Sequence, residues 1–206
     1  MHLTILAASG GTGLELTRQA LDRGHTVTAI ARTPERITVP DSDRLTRVKA
    51  DVRDADAISA ALNGSEVVLS GLGVAEGDQP GALTAGARAV TQAGPLRVIW
   101  LGAIGTGGSA PAAGWLTRTL LATLMRAELP DKVTADNTVL RAGGTVFHAG
   151  PLSGRPLSPT RRTVGLSDYP RRLFPARVSR SAVAAAMLDE AESPRFPGAI
   201  AIPLER

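Results

Sequence analysis

Residues 3–13, Leu-Thr-Ile-Leu-Ala-Ala-Ser-Gly-Gly-Thr-Gly, run from an apolar segment straight into a glycine turn, and a helical pattern follows at once. A strand that feeds a helix through Ser9, Gly10, Gly11, Thr12 and Gly13 lets bare backbone approach a pyrophosphate and aims the leading N–H groups of the helix at it. The chemistry predicted is dinucleotide binding. The usual first glycine of the pattern is Ala7 here, so the motif rests on its context of strand before and helix after. About twenty residues on, a carboxylate would accept from a ribose 2′-hydroxyl. The chain instead carries Arg32 and Thr33 there, with Arg36 near by. A planar, permanently charged fork complements a 2′-phosphate and points to NADP(H). The competing reading makes Arg32 one more surface arginine, because 21 of the 23 basic residues are arginine.

Such residues need a β-α-β scaffold, and the pattern supplies one. A helix over 14–23 stops at Gly24, and strands are expected at 26–31, 45–50, 66–70, 96–101, 145–149 and 199–202. Helices are expected at 54–62, 81–93, 111–126, 131–141 and 179–190. The run 96–101 is apolar throughout, as a strand buried on both faces should be. The fold class predicted is α/β, a Rossmann-like doubly wound parallel sheet, with 1–206 forming one NAD(P)-binding domain. The proline- and arginine-rich stretch 150–176 reads as irregular. A loop of that length, continued to about 178, is expected to serve the substrate.

Composition removes several alternatives. The chain has no cysteine, which excludes disulfides, thiolate metal sites and cysteine nucleophiles; no metal site is expected. It has no apolar run of membrane-spanning length and no basic-then-apolar leader, so the expectation is a cytoplasmic protein with no membrane partner. The net charge is +4. The densest basic patch, Arg155, Arg161, Arg162, Arg171, Arg172 and Arg180, lacks the interleaved aromatics of a nucleic-acid platform. A solvated rim, or contact with an anionic substrate, is expected there.

Several segments carry a family resemblance: Ala-Ala-Ser-Gly-Gly-Thr-Gly at 7–13, Ala-Arg-Thr-Pro-Glu-Arg at 31–36, Ala-Asp-Val at 50–52 and Leu-Ser-Gly-Leu-Gly at 69–73. Val-Leu-Arg-Ala-Gly-Gly at 139–144, His148-Ala149-Gly150 and Val-Ser-Arg-Ser-Ala-Val-Ala at 178–184 extend it over nearly the whole chain. The sequence resembles a small atypical short-chain dehydrogenase/reductase, of the NAD(P)H-binding group that includes flavin reductases, biliverdin-IXβ reductases and NmrA-like proteins. The resemblance implies that Asp51 and Val52 flank the adenine and that Gly71, Leu72 and Gly73 pass along the nicotinamide-side ribose. Asp51 is equally placed to cap a helix.

The departures narrow the chemistry. Family members of the usual kind have a serine after the fifth strand and a Tyr-x-x-x-Lys pair, but the only tyrosine here is Tyr169. The resemblance puts Asp136 on the acidic place after that pair, Lys132 on the lysine and Glu128 on the tyrosine. Ala103 and Thr106 stand in the serine region, so Thr106 is the hydroxyl candidate. Lys132 is a candidate to hydrogen-bond the nicotinamide ribose, but Pro130 puts its helical relation to Glu128 in question, and the reading favoured for both residues is solvent-facing charge. His148 closes the sixth strand where the family usually has arginine, and it is the ionisable group expected near the nicotinamide. The weaker histidines are His2 and His25, and Trp115 and Tyr169 are candidates to face the substrate or to close the core.

Without the phenol, hydride transfer suits an acceptor that stabilises its own negative charge, such as a flavin, a quinone or a conjugated carbonyl or tetrapyrrole. An NADPH-dependent oxidoreductase acting on an aromatic or anionic small molecule is therefore expected. Two alternatives stand: an NmrA-like sensor that binds NADP(H) without turnover, and an NADP-dependent tailoring reductase or isomerase of secondary metabolism. The helices expected at 81–93 and 111–126, which pair subunits in the family, leave monomer and homodimer both open.

Overall fold

The computed structural model describes residues 1–74, 80–114, 127–170 and 174–205. The chain runs β1 (His2–Leu6), α1 (Gly11–Asp22), β2 (Thr26–Ala31), β3 (Leu45–Lys49), α2 (Ala55–Ala61), β4 (Val67–Ser70), α3 (Ala82–Ala93) and β5 (Arg97–Ala103). It continues through a 3₁₀ turn (Gly107–Ala112), α4 (Leu129–Arg141), β6 (Thr145–Ala149), β7 (Leu152–Ser153), β8 (Arg162–Gly165), β9 (Val178–Ser179), α5 (Arg180–Glu192) and β10 (Ile200–Leu204). Among the described residues eight strands form one sheet in the order β3-β2-β1-β4-β5-β6-β10-β8, of which only β8 runs antiparallel to its neighbour. The winding leaves β1 toward β2 on one side and β4 on the other, which opens a crevice at the carboxyl ends of these strands.

Two apolar layers sandwich the sheet. Leu3, Ile5, Ile99 and Phe147 pack under α1 and α5, whereas Leu6, Ile30, Val68 and Trp100 pack under α2, α3 and α4. Central β6 is buried at all five positions, Thr145 and His148 included, as a strand covered on both faces should be. Outer β3 keeps Arg47 and Lys49 on an exposed edge, where charge discourages further strand pairing. Helix α5 is alanine-rich and buried on nearly every side, so small side chains let it approach both the sheet and α1.

Three expectations need correction. Helix α1 starts at Gly11 rather than at residue 14, because packing against β1 overrides the poor helix propensity of Gly11 and Gly13. The stretch 150–176 is not irregular throughout: β7 pairs with β9, and β8 extends the main sheet beside β10. So short a strand draws its stability from its partner rather than from its own sequence pattern. Of the helix expected at 111–126, the opening forms the 3₁₀ turn, while residues 115–126 lie outside the described residues, Trp115 among them. Arg171 and Arg172 lie outside them as well. Among the described residues no helix is long and apolar enough to cross a membrane.

Candidate functional site

The glycine turn is built around the carbonyl of Ala7. Ala7 has φ 55°, the only non-glycine among the described residues in the left-handed region, and it stands where the motif usually has its first glycine. Its carbonyl accepts the Gly10 N–H at 2.9 Å. A Cβ on Gly13 would lie 2.1 Å from that same oxygen and 2.7 Å from Ala8 Cα. The missing side chain therefore lets α1 rest directly on the end of β1. The turn also meets β4, since a Cβ on Gly71 would come within 3.1 Å of the Gly13 nitrogen. Helix α1 opens with no side-chain cap and no acid in its first turn. Its positive end is thus left for an anion from outside the chain.

Above this turn lies a cleft of about 500 Å³. Of the residues expected to hold a dinucleotide, Ser9, Gly10, Gly11, Thr12, Arg32, Asp51, Val52, Gly71, Leu72, Gly73 and Lys132 line it. Gly13, Thr33 and His148 do not. Gly13 is consumed in helix–strand packing, and Thr33 precedes a 3₁₀ turn in which its carbonyl accepts the Arg36 N–H. The lining also gathers Arg36, Arg53 and Arg180, so among the described residues five cations share the cleft with the one carboxylate of Asp51. The donor set suits a dinucleotide: a cradle that a Cβ would fill, a helix end without its own anion, and arginines at the end of β2.

The helix-cap reading of Asp51 does not hold. Asp54, not Asp51, caps α2, with Oδ1 accepting the Ala57 N–H at 2.9 Å. Asp51 stays on the cleft, where Oδ1 accepts the Arg53 N–H at 2.9 Å. Lys132 reaches the cleft from α4, and Pro130 does not disturb it. That proline lies in the first turn of α4, where no amide donor is needed, and the Lys132 N–H bonds the Glu128 carbonyl at 3.0 Å. Glu128 itself does not line the cleft. Next to Lys132, the Asp131 carboxylate accepts from the N–H groups of Gly81 and Leu83 at 3.1 Å and of Thr84 at 2.9 Å. It caps α3, which the left-handed Gly81 precedes without offering a side-chain cap of its own. Burial alone would raise the Asp131 pKa, but the Thr84 hydroxyl and the three backbone donors outweigh it and hold the group below its usual 3.8.

His148 is where the sequence reading needs its main correction. It closes β6 as expected, but strand alternation turns Ala149 toward the cleft and His148 to the opposite face, under α4. The side chain is 1% exposed, and Nε2 lies 3.2 Å from Asp136 Oδ2. This is a close approach rather than an aligned hydrogen bond, for neither atom has a hydrogen-bond partner. On the other side, Nδ1 is 2.6 Å from Ser109 Oγ. Ser109 Oγ already accepts the Gly105 N–H at 2.9 Å and donates to the Thr106 carbonyl at 3.1 Å. The serine hydroxyl thus joins the His148 ring to the turn that follows β5. The cluster exists because residue 102 is glycine: a Cβ there would lie 2.7 Å from His148 Cδ2 and 3.0 Å from Asp136 Oδ2.

Ser109 went unnoticed in the sequence. Its signal was only a hydroxyl in the Gly-Gly-Ser stretch after β5, and its partner lies on another strand. Thr106, the expected hydroxyl, is buried and donates to the Ala103 carbonyl at 2.8 Å, off the cleft. Tyr169 closes a small core with Ile104, Ile200 and Ile202 and does not face the cleft. His2 bonds Thr28 Oγ1 and His25 bonds Glu192, both at 2.8 Å, so each holds structure.

Comparison with solved structures places the fold among dinucleotide-binding proteins. A short-chain dehydrogenase/reductase from Veillonella parvula, solved in complex with NADP, is 20% identical, with a TM-score of 0.81 over 99% of this chain and 94% of that one. An oxidoreductase from Lactococcus lactis is 18% identical, with a TM-score of 0.79 over 100% of this chain and 91% of its own. An anaerobillin reductase from Escherichia coli O157:H7 is 19% identical, with a TM-score of 0.77 over 100% of this chain and 97% of its own. No curated protein sequence matches the chain. The glycine turn, both walls of the cleft and α5 all fall within residues 7–194, the stretch that matches the family described as NAD(P)H-binding, and the chain belongs to that family.

Proposed function

We propose that the chain is an NADPH-dependent oxidoreductase whose small-molecule acceptor stabilises the negative charge it receives, in the class of flavins, quinones and conjugated carbonyls or tetrapyrroles. The observation that carries this reading is the make-up of the cleft. It joins a dinucleotide cradle to Lys132 but contains neither the tyrosine nor a histidine, because Tyr169 and His148 are both packed elsewhere. The Veillonella protein solved with NADP and the anaerobillin reductase support the same direction.

Arg32 and Arg36 at the end of β2 hold the 2′-phosphate, the Gly10–Gly11 backbone and Thr12 hold the pyrophosphate, and Asp51 and Val52 flank the adenine. Gly71, Leu72 and Gly73 run beside the nicotinamide-side ribose, whose hydroxyls Lys132 donates to. The reduced nicotinamide, when bound, supplies hydride. The protein's part is then to orient donor and acceptor and to keep cations near the charge that develops, which requires no strong protein acid. The test is NADPH oxidation with FMN, menadione and biliverdin, together with titration of NADPH and NADH into wild type and Arg32→Ala. Turnover with at least one acceptor is expected. Tighter binding of NADPH than NADH is also expected, with a loss of roughly ten- to a hundredfold in NADPH affinity alone on Arg32→Ala. Tight binding with no oxidation by any acceptor would overturn the enzyme reading in favour of a sensor, and equal affinity for the two cofactors would overturn the role of Arg32.

A further inference from the structure

Arg180 begins α5, close to the C-terminal end of the chain, yet its side chain finishes at the glycine turn. A Cβ on Gly11 would lie 2.8 Å from Arg180 Nε and 2.9 Å from its Cδ, so the side chain crosses the first residue of α1. It lines the cleft beside Ser9, Gly10 and Gly11 and is half-buried. Arg18 pairs with Glu15, Arg23 with Asp189, Arg47 with Asp41 and Arg161 with Asp189; among the described residues Arg88 and Arg141 have no such pair, but only Arg180 of these crosses the glycine turn. Among the described residues Arg180 makes no hydrogen bond or ion pair. The nearby carboxylate of Glu205 is already engaged, accepting the Ser179 N–H at 2.6 Å and the Ser179 hydroxyl at 2.7 Å.

This is an unfavourable place for a lone cation. The guanidinium stands against the positive end of α1 and itself opens α5, so both helix dipoles oppose it. An anion laid on the glycine turn would reverse the balance, because it would meet the α1 N–H groups from one side and the guanidinium from the other. We propose that Arg180 is a second, remote clamp on the cofactor's pyrophosphate, through which α5 takes part in dinucleotide binding. The inference rests on the dinucleotide reading of the cleft. It differs from the role of Arg32 in one respect that can be measured: NADPH and NADH share the pyrophosphate, so Arg180 must act on both alike.

The experiment titrates NADPH, NADH and adenosine 2′-monophosphate into full-length wild type, Arg180→Met and Arg180→Lys, and records the melting of each protein without ligand. Adenosine 2′-monophosphate keeps the adenine and the 2′-phosphate but has no pyrophosphate. Arg180→Met should weaken NADPH and NADH by the same factor, roughly ten- to a hundredfold, and Arg180→Lys should recover part of the loss. Adenosine 2′-monophosphate should bind as to wild type. The ligand-free methionine variant should melt no lower than wild type, since the change removes a repelled charge. Cofactor affinities within about twofold of wild type would overturn the proposal; so would an equal loss for adenosine 2′-monophosphate, or an effect confined to the KM of the acceptor. Failure of wild type to bind either cofactor would instead overturn the dinucleotide reading itself, which keeps the two failures distinct.

Discussion

Replacing Gly13 by alanine sets two physical effects against each other, and the structure decides between them. In a helix interior the change from glycine to alanine stabilises by about 0.8–1.0 kcal/mol, because alanine restricts the unfolded chain more and suits the helix better. Here the new Cβ would lie 2.1 Å from the Ala7 oxygen, 2.7 Å from Ala8 Cα and 2.8 Å from the Ala7 carbonyl carbon. All three are backbone atoms of the β1 turn and cannot rotate away. Helix α1 would have to withdraw by more than an ångström. Overpacking of this kind costs about 1–3 kcal/mol and outweighs the propensity gain. Gly11→Ala is the matched control, for its Cβ meets only the movable side chain of Arg180. We expect Gly13→Ala to lower the melting temperature by about 2–4 °C for each kcal/mol lost, with NADPH affinity falling as the helix N-terminus moves off the turn. Gly11→Ala should leave stability nearly unchanged. Urea unfolding with a parallel NADPH titration checks both. A Gly13→Ala protein as stable as wild type, with undiminished affinity, would refute the close-packed turn.

Three further outcomes follow from described contacts. Ala7→Gly should raise stability by up to about 1 kcal/mol, since the left-handed conformation costs alanine about 1–2 kcal/mol and glycine's entropy returns part of that; a lower urea midpoint would contradict the strain assigned to Ala7. Asp131→Ala strips three donors of their acceptor at the start of α3 and should cost about 0.5–2 kcal/mol. Because the folded pKa of Asp131 lies below 3.8, the wild-type advantage should be full above that value and vanish as pH falls through the folded pKa. An advantage undiminished in strong acid would show that the charge is not what matters. His148→Ala removes the buried ring that sits between Asp136 and Ser109 and should cost about 1–3 kcal/mol, while NADPH oxidation per folded molecule stays within about tenfold; a loss beyond a hundredfold in a folded variant would restore His148 as a proton donor.

What could be read from the chain beforehand was whatever is contiguous in it. The strand, turn and helix at 3–13 and the arginine at the end of β2 are local patterns, and the cleft gathers them as local patterns should. His148 was located on the correct strand end yet assigned to the wrong face, because with a period of two a single position separates it from Ala149. Ser109 and Asp136 meet His148 from two other segments, and only Gly102 makes room for them. Arg180 stood in the sequence as one member of a basic patch. Its approach to Gly11 depends on α5 packing along α1, which no spacing in the chain encodes. Edge strand β8 was missed because its pattern is too short to compete with the prolines and arginines around it.

Helix α4 is fastened at three successive levels. Asp131 is tied to the start of α3, Asp136 meets His148 on β6, and Val139 fills the space that Gly144 leaves open, where a Cβ would lie 2.6 Å from its Cγ1. Lys132 rides between the first two fastenings, so its place in the cleft is inherited from the whole lower face of the sheet. Gly150 and Leu152, which also line the cleft, belong instead to the long connection between β6 and α5. The molecule is in this sense divided into a fixed jaw and a revisable one. Descendants of this chain could change acceptor by rewriting the connection while the lysine stays in register, whereas a change of lysine position would require α3, α4 and β6 to be altered together.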